Sequence, residues 1–285
     1  MLSDKSVIHF IHEYLKNPRH DITVNVIGCG GTGSKFLTNL AMINQARLHR
    51  RETGLNVRVF DPDVVTESNV GRQVFSPVDI GRNKAEVAVS RINRFYGLSW
   101  ASIAEEYNTD FINRFWTVGG SARANITVTC TDTIKSRKEV RNILAMKAEN
   151  LNEDEFKPLY WIDIGNLHKS GQVILSSAGN VSQPLTKMQP VKKLKDPFEM
   201  FPELEKMKDD PNIPSCSMAE SLARQDLFIN TLVADHAATL LWDFLRNGYT
   251  QVQGYFINNI SVAPIYLWHT KPKKKSNKKQ GKALV

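Results

Sequence analysis

Two stretches decide the fold: residues 23–43, TVNVIGCGGTGSKFLTNLAMI, and residues 57–75, VRVFDPDVVTESNVGRQVF. Thr23–Ile27 is a short apolar, β-branched run, which predicts a buried strand. Glycines follow at once, and residues 34–43 then carry apolar side chains at helical spacing. A strand, a glycine turn and a helix in this order aim backbone N–H groups and a positive helix end at a phosphate group.

The turn contains four glycines that we predict to bind a nucleotide: Gly28, Gly30, Gly31 and Gly33. Glycine permits a sharp turn and lets phosphate oxygens approach the backbone closely. The second predicted strand, residues 57–60, ends on Asp61, where an acid that binds ribose hydroxyls is expected. A glycine turn alone indicates only that some nucleotide binds.

Charged segments beside the turn favour a triphosphate over a dinucleotide. Residues 68–73, SNVGRQ, and residues 79–84, DIGRNK, place Arg72 and Lys84 just past the second strand. A bound triphosphate carries about four negative charges. Cations such as Arg72 and Lys84 can bind it and stabilise the redistribution of its charge during the reaction. The candidate nucleotide-binding side chains of this region are Asp61, Asp63, Asn69, Arg72, Gln73 and Lys84.

These residues resemble the ThiF/MoeB family of adenylating enzymes, which is related to the ubiquitin-activating enzymes. The family pattern is a GxGGxG turn, an acid after the second strand, a Ser-Asn-x-x-Arg-Gln segment and a later lysine, and all four are present. The resemblance covers residues 23–268 and is densest before Arg137. It implies an α/β, Rossmann-like fold with a mostly parallel sheet flanked by helices and antiparallel strands toward the C-terminal end.

The resemblance also implies an activity: ATP-dependent adenylation of the C-terminal carboxylate of a ubiquitin-like or sulfur-carrier protein. Arg72 and Lys84 would be catalytic, and Asp132 would bind the Mg²⁺ that accompanies ATP. Asp132 follows the β-type run NITVTC, residues 125–130, and so is expected at the carboxyl end of a parallel strand. The alternative is that Asp132 caps the helix predicted over residues 134–150; both roles can hold, and we favour the metal or ATP role.

Cys216 is a candidate nucleophile. It follows a proline-rich crossing loop and precedes Ser217-Met218-Ala219-Glu220, a capping box that predicts a helix over residues 218–246. A helix N-terminus favours the thiolate form, so a thioester on Cys216 is one interpretation and a small buried cysteine is the other. We expect Cys130 to be buried on its strand, and Cys29 to stand in the glycine turn because a small side chain fits there. No CxxC pair occurs, so no zinc site is expected.

The chain divides into five predicted regions. They are an N-terminal helical region (1–22, with the helix over Ser3–Leu15), a nucleotide-binding core (23–181), a crossing loop (182–216), a helix with a strand pair (217–270) and a basic tail (271–285). Within the core, a helix capped by Asp79 is predicted over residues 77–95, and a strand pair over 158–177. Relatives are commonly homodimers in which an N-terminal arginine reaches the neighbouring subunit's triphosphate. Here only Arg19 and Lys16 are available, so the source of such an arginine stays open.

Composition restricts the compartment and the partners. The 285 residues are 41% hydrophobic, enough for one large α/β domain, and no apolar run long enough to span a membrane occurs. Three scattered cysteines favour a reducing, cytoplasmic setting. Seven lysines in the tail account for most of the net charge of +8. That tail is expected to be disordered, serving solubility or a weak contact with nucleic acid or an acidic partner.

Two other classes of function remain open at this stage. A NAD(P)-dependent oxidoreductase could use the same turn, but no hydride-transfer acid or base stands out. A non-catalytic nucleotide-binding subunit would need a partner to complete its site. Residues 225–230, QDLFIN, further resemble the ThiF-like proteins of plasmid-borne PRTRC systems, which would imply a ubiquitin-like partner encoded nearby.

Overall fold

The computed structural model describes residues 6–116, 122–146, 157–166, 169–207 and 226–267. The strands are β1 (Val7–Phe10), β2 (Ile22–Ile27), β3 (Leu55–Phe60), β4 (Ala101–Ile103), β5 (Ile126–Thr129), β6 (Tyr160–Asn166), β7 (Ser170–Ser177), β8 (Gln189–Pro190), β9 (Tyr249–Thr250), β10 (Val252–Asn258) and β11 (Val262–Tyr266). The helices are α1 (Glu13–Lys16), α2 (Gly31–His49), α3 (Lys84–Tyr96), α4 (Thr109–Trp116), α5 (Ile134–Ala145), α6 (Pro197–Met200) and α7 (Ile229–Asn247). Short 3₁₀ turns occupy Glu67–Asn69, Pro77–Asp79 and Pro202–Glu205. No helix among these residues is long and apolar enough to cross a membrane.

The described residues form a central sheet of eight strands in the order β11-β10-β7-β6-β5-β2-β3-β4. Strands β4, β3, β2, β5 and β6 are parallel, and β7, β10 and β11 complete the sheet by antiparallel pairing. The predicted Rossmann-like class, with antiparallel strands toward the C-terminal end, is therefore confirmed. The chain order of the strands reverses between β2 and β5, where ligands of open α/β sheets bind beyond the carboxyl ends.

Helices cover both faces of this sheet. On one face Phe36 of α2 and Leu241 of α7 belong to the main apolar core, together with residues of α3. On the other face Phe111 of α4 and Val140 of α5 pack around Trp161. Every residue of β2 is buried, as expected for a parallel strand covered on both sides. Burying one such large apolar side chain stabilises the fold by roughly 1.5–3 kcal/mol.

The helix predicted over Ser3–Leu15 is wrong. Residues Val7–Phe10 form β1, which pairs in parallel with β8 and antiparallel with β9, and only Glu13–Lys16 is helical. The ring of His9 is fully buried, with Nδ1 at 2.6 Å from the Val191 carbonyl and Nε2 at 3.0 Å from the Tyr160 hydroxyl. Pairing partners distant in the sequence thus override a local pattern that also fits a helix.

Two other predicted helices begin later than expected. Asp79 does not cap α3; it closes its own 3₁₀ turn with Ser76 and pairs with Arg91, while Asn83 caps α3 by accepting the Glu86 N–H at 3.0 Å. Helix α7 begins at Ile229, after a turn at residues 226–228, rather than at Met218. The capping box at residues 217–220 and the basic tail at 271–285 lie outside the described residues. The strand pair predicted over 158–177 is confirmed by β6–β7, and the strand pair predicted within 217–270 is confirmed by β10–β11.

Candidate active site

A cleft of about 680 Å³ opens at the carboxyl ends of the parallel strands, at the point where their order reverses. Nine residues predicted from the sequence to bind nucleotide line it: Gly28, Gly30, Gly31, Asp61, Asp63, Arg72, Gln73, Lys84 and Asp132. Gly33 and Asn69 are not among the lining residues, and Cys216 lies outside the described part of the chain. The fold thus brings most of the candidate site together from three separate segments.

The glycine turn is closed by tight backbone packing. Gly28 has φ of +91°, a left-handed conformation that side chains disfavour. A Cβ at Gly33 would lie 2.0 Å from the Gly28 carbonyl oxygen, so only glycine permits this approach. Helix α2 begins immediately, with Gly30 as its N-cap. The amide N–H groups of its first turn have no partner within the helix, which makes this end suited to an anion.

Asp61 holds the turn in place. Its carboxylate accepts the Cys29 N–H at 2.6 Å and the Asp63 N–H at 2.9 Å. The residue is only 5% exposed, and this burial raises the pKa of Asp61, while the two backbone hydrogen bonds and Lys84 oppose the rise. Each carboxylate oxygen can accept a further hydrogen bond, so Asp61 can shape the turn and still accept a hydrogen bond from a hydroxyl group of a ligand.

Lys84 is the first residue of α3, and its side chain reaches the cleft. Its Nζ lies 2.8 Å from the Asp63 carboxylate, and its own N–H donates to the Asp63 carbonyl at 2.9 Å. The Lys84 side chain is 11% exposed and that of Asp63 is 65% exposed. A half-solvated pair of this kind is weak, about 0–1 kcal/mol, so a more highly charged ligand can draw Lys84 away from Asp63.

Arg72 and Gln73 follow the 3₁₀ turn and line the cleft together with the glycines. The side-chain amide of Gln73 lies 3.9 Å from the position that a Cβ on Gly30 would take. Asn69 bonds within its own loop: its Oδ1 accepts the Thr66 N–H at 3.0 Å, and its carbonyl accepts the Gln73 N–H at 2.9 Å. Asn69 therefore shapes the loop that presents Arg72 and Gln73 to the cleft.

Asp132 follows β5 and is exposed at the cleft. It is not the helix cap, because Thr133 caps α5 by accepting the Ser136 N–H at 3.2 Å. The described residues contain no cluster of three or more His, Cys, Asp or Glu side chains that could hold a metal. Mg²⁺ at nucleotide sites uses one or two carboxylates and the phosphates of the ligand, and a lone Asp132 fits that donor set.

The two described cysteines are buried, as predicted for Cys130. Cys29 is fully buried in the turn and Cys130 is 9% exposed at the end of β5. Burial raises the pKa of both thiols well above the ordinary value. Both therefore remain protonated near neutral pH and are poor nucleophiles.

Comparison with known proteins identifies the family. Residues 6–280 match the family model described as ThiF family. The chain belongs to the ThiF family. A similar curated protein is the NEDD8-activating enzyme E1 catalytic subunit of Dictyostelium discoideum, 40% identical over 76 residues, which are 26% of this chain and 15% of that protein. Another is ubiquitin-activating enzyme E1 1 of Candida albicans (strain WO-1), 27% identical over 130 residues, 42% of this chain and 12% of that protein. The matched segments thus span less than a sixth of either relative's length.

Solved structures share the fold of this ThiF-family chain. E. coli MccB superposes with a TM-score of 0.54 at 17% identity, covering 89% of this chain and 63% of MccB. The structure of E. coli MccB with ATP gives 0.52 at 18% identity, covering 89% and 65%. PaaA gives 0.54 at 14% identity, covering 87% and 65%. At these identities the likeness concerns the fold.

The structure of this ThiF-family cleft adds residues that the sequence analysis missed. Thr32, Lys135, Asn166 and Asn230 all line it. Asn166 ends β6, and Lys135 lies in the first turn of α5 next to Asp132. The rule that ligands lie beyond the carboxyl ends of parallel strands would have indicated both. Asn230 is contributed by α7 from far along the chain, and although residues 225–230 carry a family resemblance, that resemblance did not place Asn230 at the cleft.

Proposed function

We propose that this protein adenylates a carboxylate with ATP, and that the carboxylate is the C-terminus of a small ubiquitin-like, sulfur-carrier or similar polypeptide. One observation supports this most: two cations, Arg72 and Lys84, line the same cleft as the glycine turn and the start of α2. A triphosphate needs positive charge where its own charge moves during the reaction. A nicotinamide dinucleotide has less need of such cations.

Each part of ATP has a matching group in the cleft. The phosphates would lie against the glycine turn and the first turn of α2, and Asp61 would accept the ribose hydroxyls. Lys84 would exchange Asp63 for phosphate oxygens, leaving the exposed Asp63 carboxylate near the bound nucleotide. The side-chain amide of Gln73 would donate a hydrogen bond to the phosphates beside the turn. Asn69 would act indirectly, by holding the loop that carries Arg72 and Gln73. Mg²⁺ held by Asp132 would supply further positive charge at the phosphates.

The reaction is a displacement at phosphorus. A carboxylate oxygen of the partner attacks the α-phosphorus of ATP, the bond to the bridging oxygen breaks, and pyrophosphate leaves with its electron pair. Both reactants are anionic, so Arg72 and Lys84 lower their mutual repulsion as they approach and stabilise the leaving pyrophosphate. The product is an acyl-adenylate. We further propose that Cys216 can attack its acyl carbon as a thiolate, releasing AMP and forming a thioester.

The relatives support the choice of substrate. The two curated relatives carry the names of NEDD8- and ubiquitin-activating enzymes, which refer to small protein modifiers. The structure of MccB with ATP belongs to a protein of the same fold. The finer resemblance to PRTRC-system proteins points to a ubiquitin-like partner encoded nearby, and the family resemblance points to a homodimer.

The decisive assay is exchange of labelled pyrophosphate into ATP, stimulated by a candidate carrier that co-purifies with the chain. Arg72→Ala and Lys84→Ala should each lower the exchange rate by a factor of about 10²–10³, because each removes a positive charge that stabilises the anionic transition state. The matched control is Arg94→Ala, an exposed residue in the last turn of α3. Exchange that survives Arg72→Ala at the wild-type rate would contradict the proposal. Tight binding of NAD instead of ATP would replace it with the oxidoreductase.

A further inference from the structure

A row of side-chain hydrogen bonds fastens the start of α7 to the start of α2. The bonds join Thr32 Oγ1 to Asn230 Oδ1 at 3.0 Å, Lys35 Nζ to Thr231 Oγ1 at 2.5 Å, and Asn39 Nδ2 to Asp235 Oδ1 at 2.8 Å. The residue numbers rise together on both helices, so α2 and α7 run parallel. Their N-terminal ends therefore lie side by side at the cleft.

Asn230 is the member of this row that reaches the cleft. It is 2% exposed, and its Oδ1 accepts hydrogen bonds from Thr32 and from Asn166 Nδ2 at the end of β6. Its amide also packs against Gly31, where a Cβ would lie 2.5 Å from Nδ2. One side chain thus contacts two consecutive residues of the first turn of α2 and joins them to the sheet.

The orientation of that first turn decides how well it can bind an anion. Hydrogen bonds weaken steeply when the donor points away from the acceptor, so a small rotation of the α2 end would misdirect its N–H groups. Sites of this kind depend on neighbouring residues that hold the binding groups rigidly. Gly31 has no side chain of its own to pack. Asn230 supplies the contact that a side chain at that position would otherwise make.

We propose that Asn230 is a positioning residue for the triphosphate: through Gly31 and Thr32 it fixes the first turn of α2 so that its N–H groups meet the phosphates. The inference rests on the proposed function, since it concerns the same nucleotide. It also gives α7 a role in the nucleotide site.

The test measures binding of Mg²⁺–AMPCPP to the full-length protein by titration calorimetry, with melting temperatures recorded in parallel. Asn230→Ala should weaken binding about tenfold, the loss expected when oriented hydrogen bonds to the phosphates are misdirected. Asn39→Ala removes a bond of the same row two helical turns from the cleft, and it should change the affinity less than about twofold. Asn230→Ser keeps an oxygen that can accept from Thr32 and buries no charge, so it should retain the melting temperature better than alanine does. Its shorter side chain loses the contact with Gly31, so it should still weaken binding severalfold.

The outcomes separate the inference from the function it rests on. A wild-type protein that does not bind AMPCPP would reject the proposed function and this inference with it. A wild-type protein that binds, with Asn230→Ala equally tight or with Asn39→Ala equally damaged, would reject the inference alone and leave Asn230 as helix packing. If Asn230→Ala does not fold, Asn230→Ser carries the test, and unchanged affinity in that variant overturns the inference.

Discussion

Two glycines of the turn should respond to alanine in opposite ways. At Gly33 a Cβ would lie 2.0 Å from the Gly28 carbonyl oxygen, and backbone must move by more than 1 Å to accept it. At Gly30 the nearest atom to a Cβ is Gln73 Nε2, at 3.9 Å, an ordinary contact. Gly30 lines the cleft, whereas Gly33 is packed behind it. Gly33→Ala should therefore damage the fold, and Gly30→Ala should damage the binding site.

The magnitudes follow from these distances. Overpacking against backbone costs about 1–3 kcal/mol, so Gly33→Ala should lower the melting temperature by roughly 3–10 °C in a chain of this size. Gly30 is the N-cap of α2, where exchange for alanine costs about 1 kcal/mol or less. Its added methyl group would occupy the surface that a phosphate oxygen approaches. Loss of one charge-assisted contact there should weaken ATP binding at least about tenfold.

The assay pairs scanning calorimetry for stability with titration of Mg²⁺–AMPCPP for affinity, on both variants and the wild type. We expect Gly33→Ala to be less stable than the wild type. We expect Gly30→Ala to be nearly as stable as the wild type but to bind the nucleotide weakly. Normal affinity in Gly30→Ala would mean that the phosphates do not run across this turn. Normal stability in Gly33→Ala would mean that the turn is not closed against Gly28.

Two further predictions use the buried titratable groups. Burial lowers the pKa of His9 to about 4 from an ordinary 6.5, so the neutral ring stabilises the fold fully above pH 6.5. That contribution, about 3 kcal/mol, should be lost as the pH falls from 6.5 toward 4. Denaturant titrations should show a weaker acid dependence in His9→Gln, and identical slopes would contradict the assignment. Because burial raises the thiol pKa of Cys29 and Cys130, neither should react with a disulfide reagent in the folded protein. Any thiol that reacts without denaturant should disappear in Cys216→Ser, and persistent labelling of that variant would show that a buried cysteine is accessible.

The parts of the fold that the sequence predicts are those held by neighbours in the chain. Strand β2, the glycine turn and α2 form one continuous stretch, so apolar spacing and glycine positions define them locally. In the N-terminal region, apolar spacing predicts the wrong structure. Val7, Ile8, Ile11 and Leu15 fit a helical face, yet β1 pairs with Gln189–Pro190 and Tyr249–Thr250, partners that no local pattern can reveal. The burial of His9 depends on the same distant contacts.

In the candidate site, too, some residues were predictable from the sequence and others were not. Asp61 and Asp132 were predictable because each follows a strand whose end must face the cleft, whereas Lys84 was indicated by its charged segment and the family resemblance. Asn69 and Asp79 show the limit of this reasoning, since both short polar side chains bond to their own loops instead. Asn230 shows the other limit. Its partner Thr32 is 198 residues away, and the pair meets only because α2 and α7 pack in parallel on one face of the sheet. The candidate site therefore has walls that local sequence specifies and a support that only tertiary packing provides, and mutations in the support should alter affinity while the glycine turn and the charged segments stay unchanged.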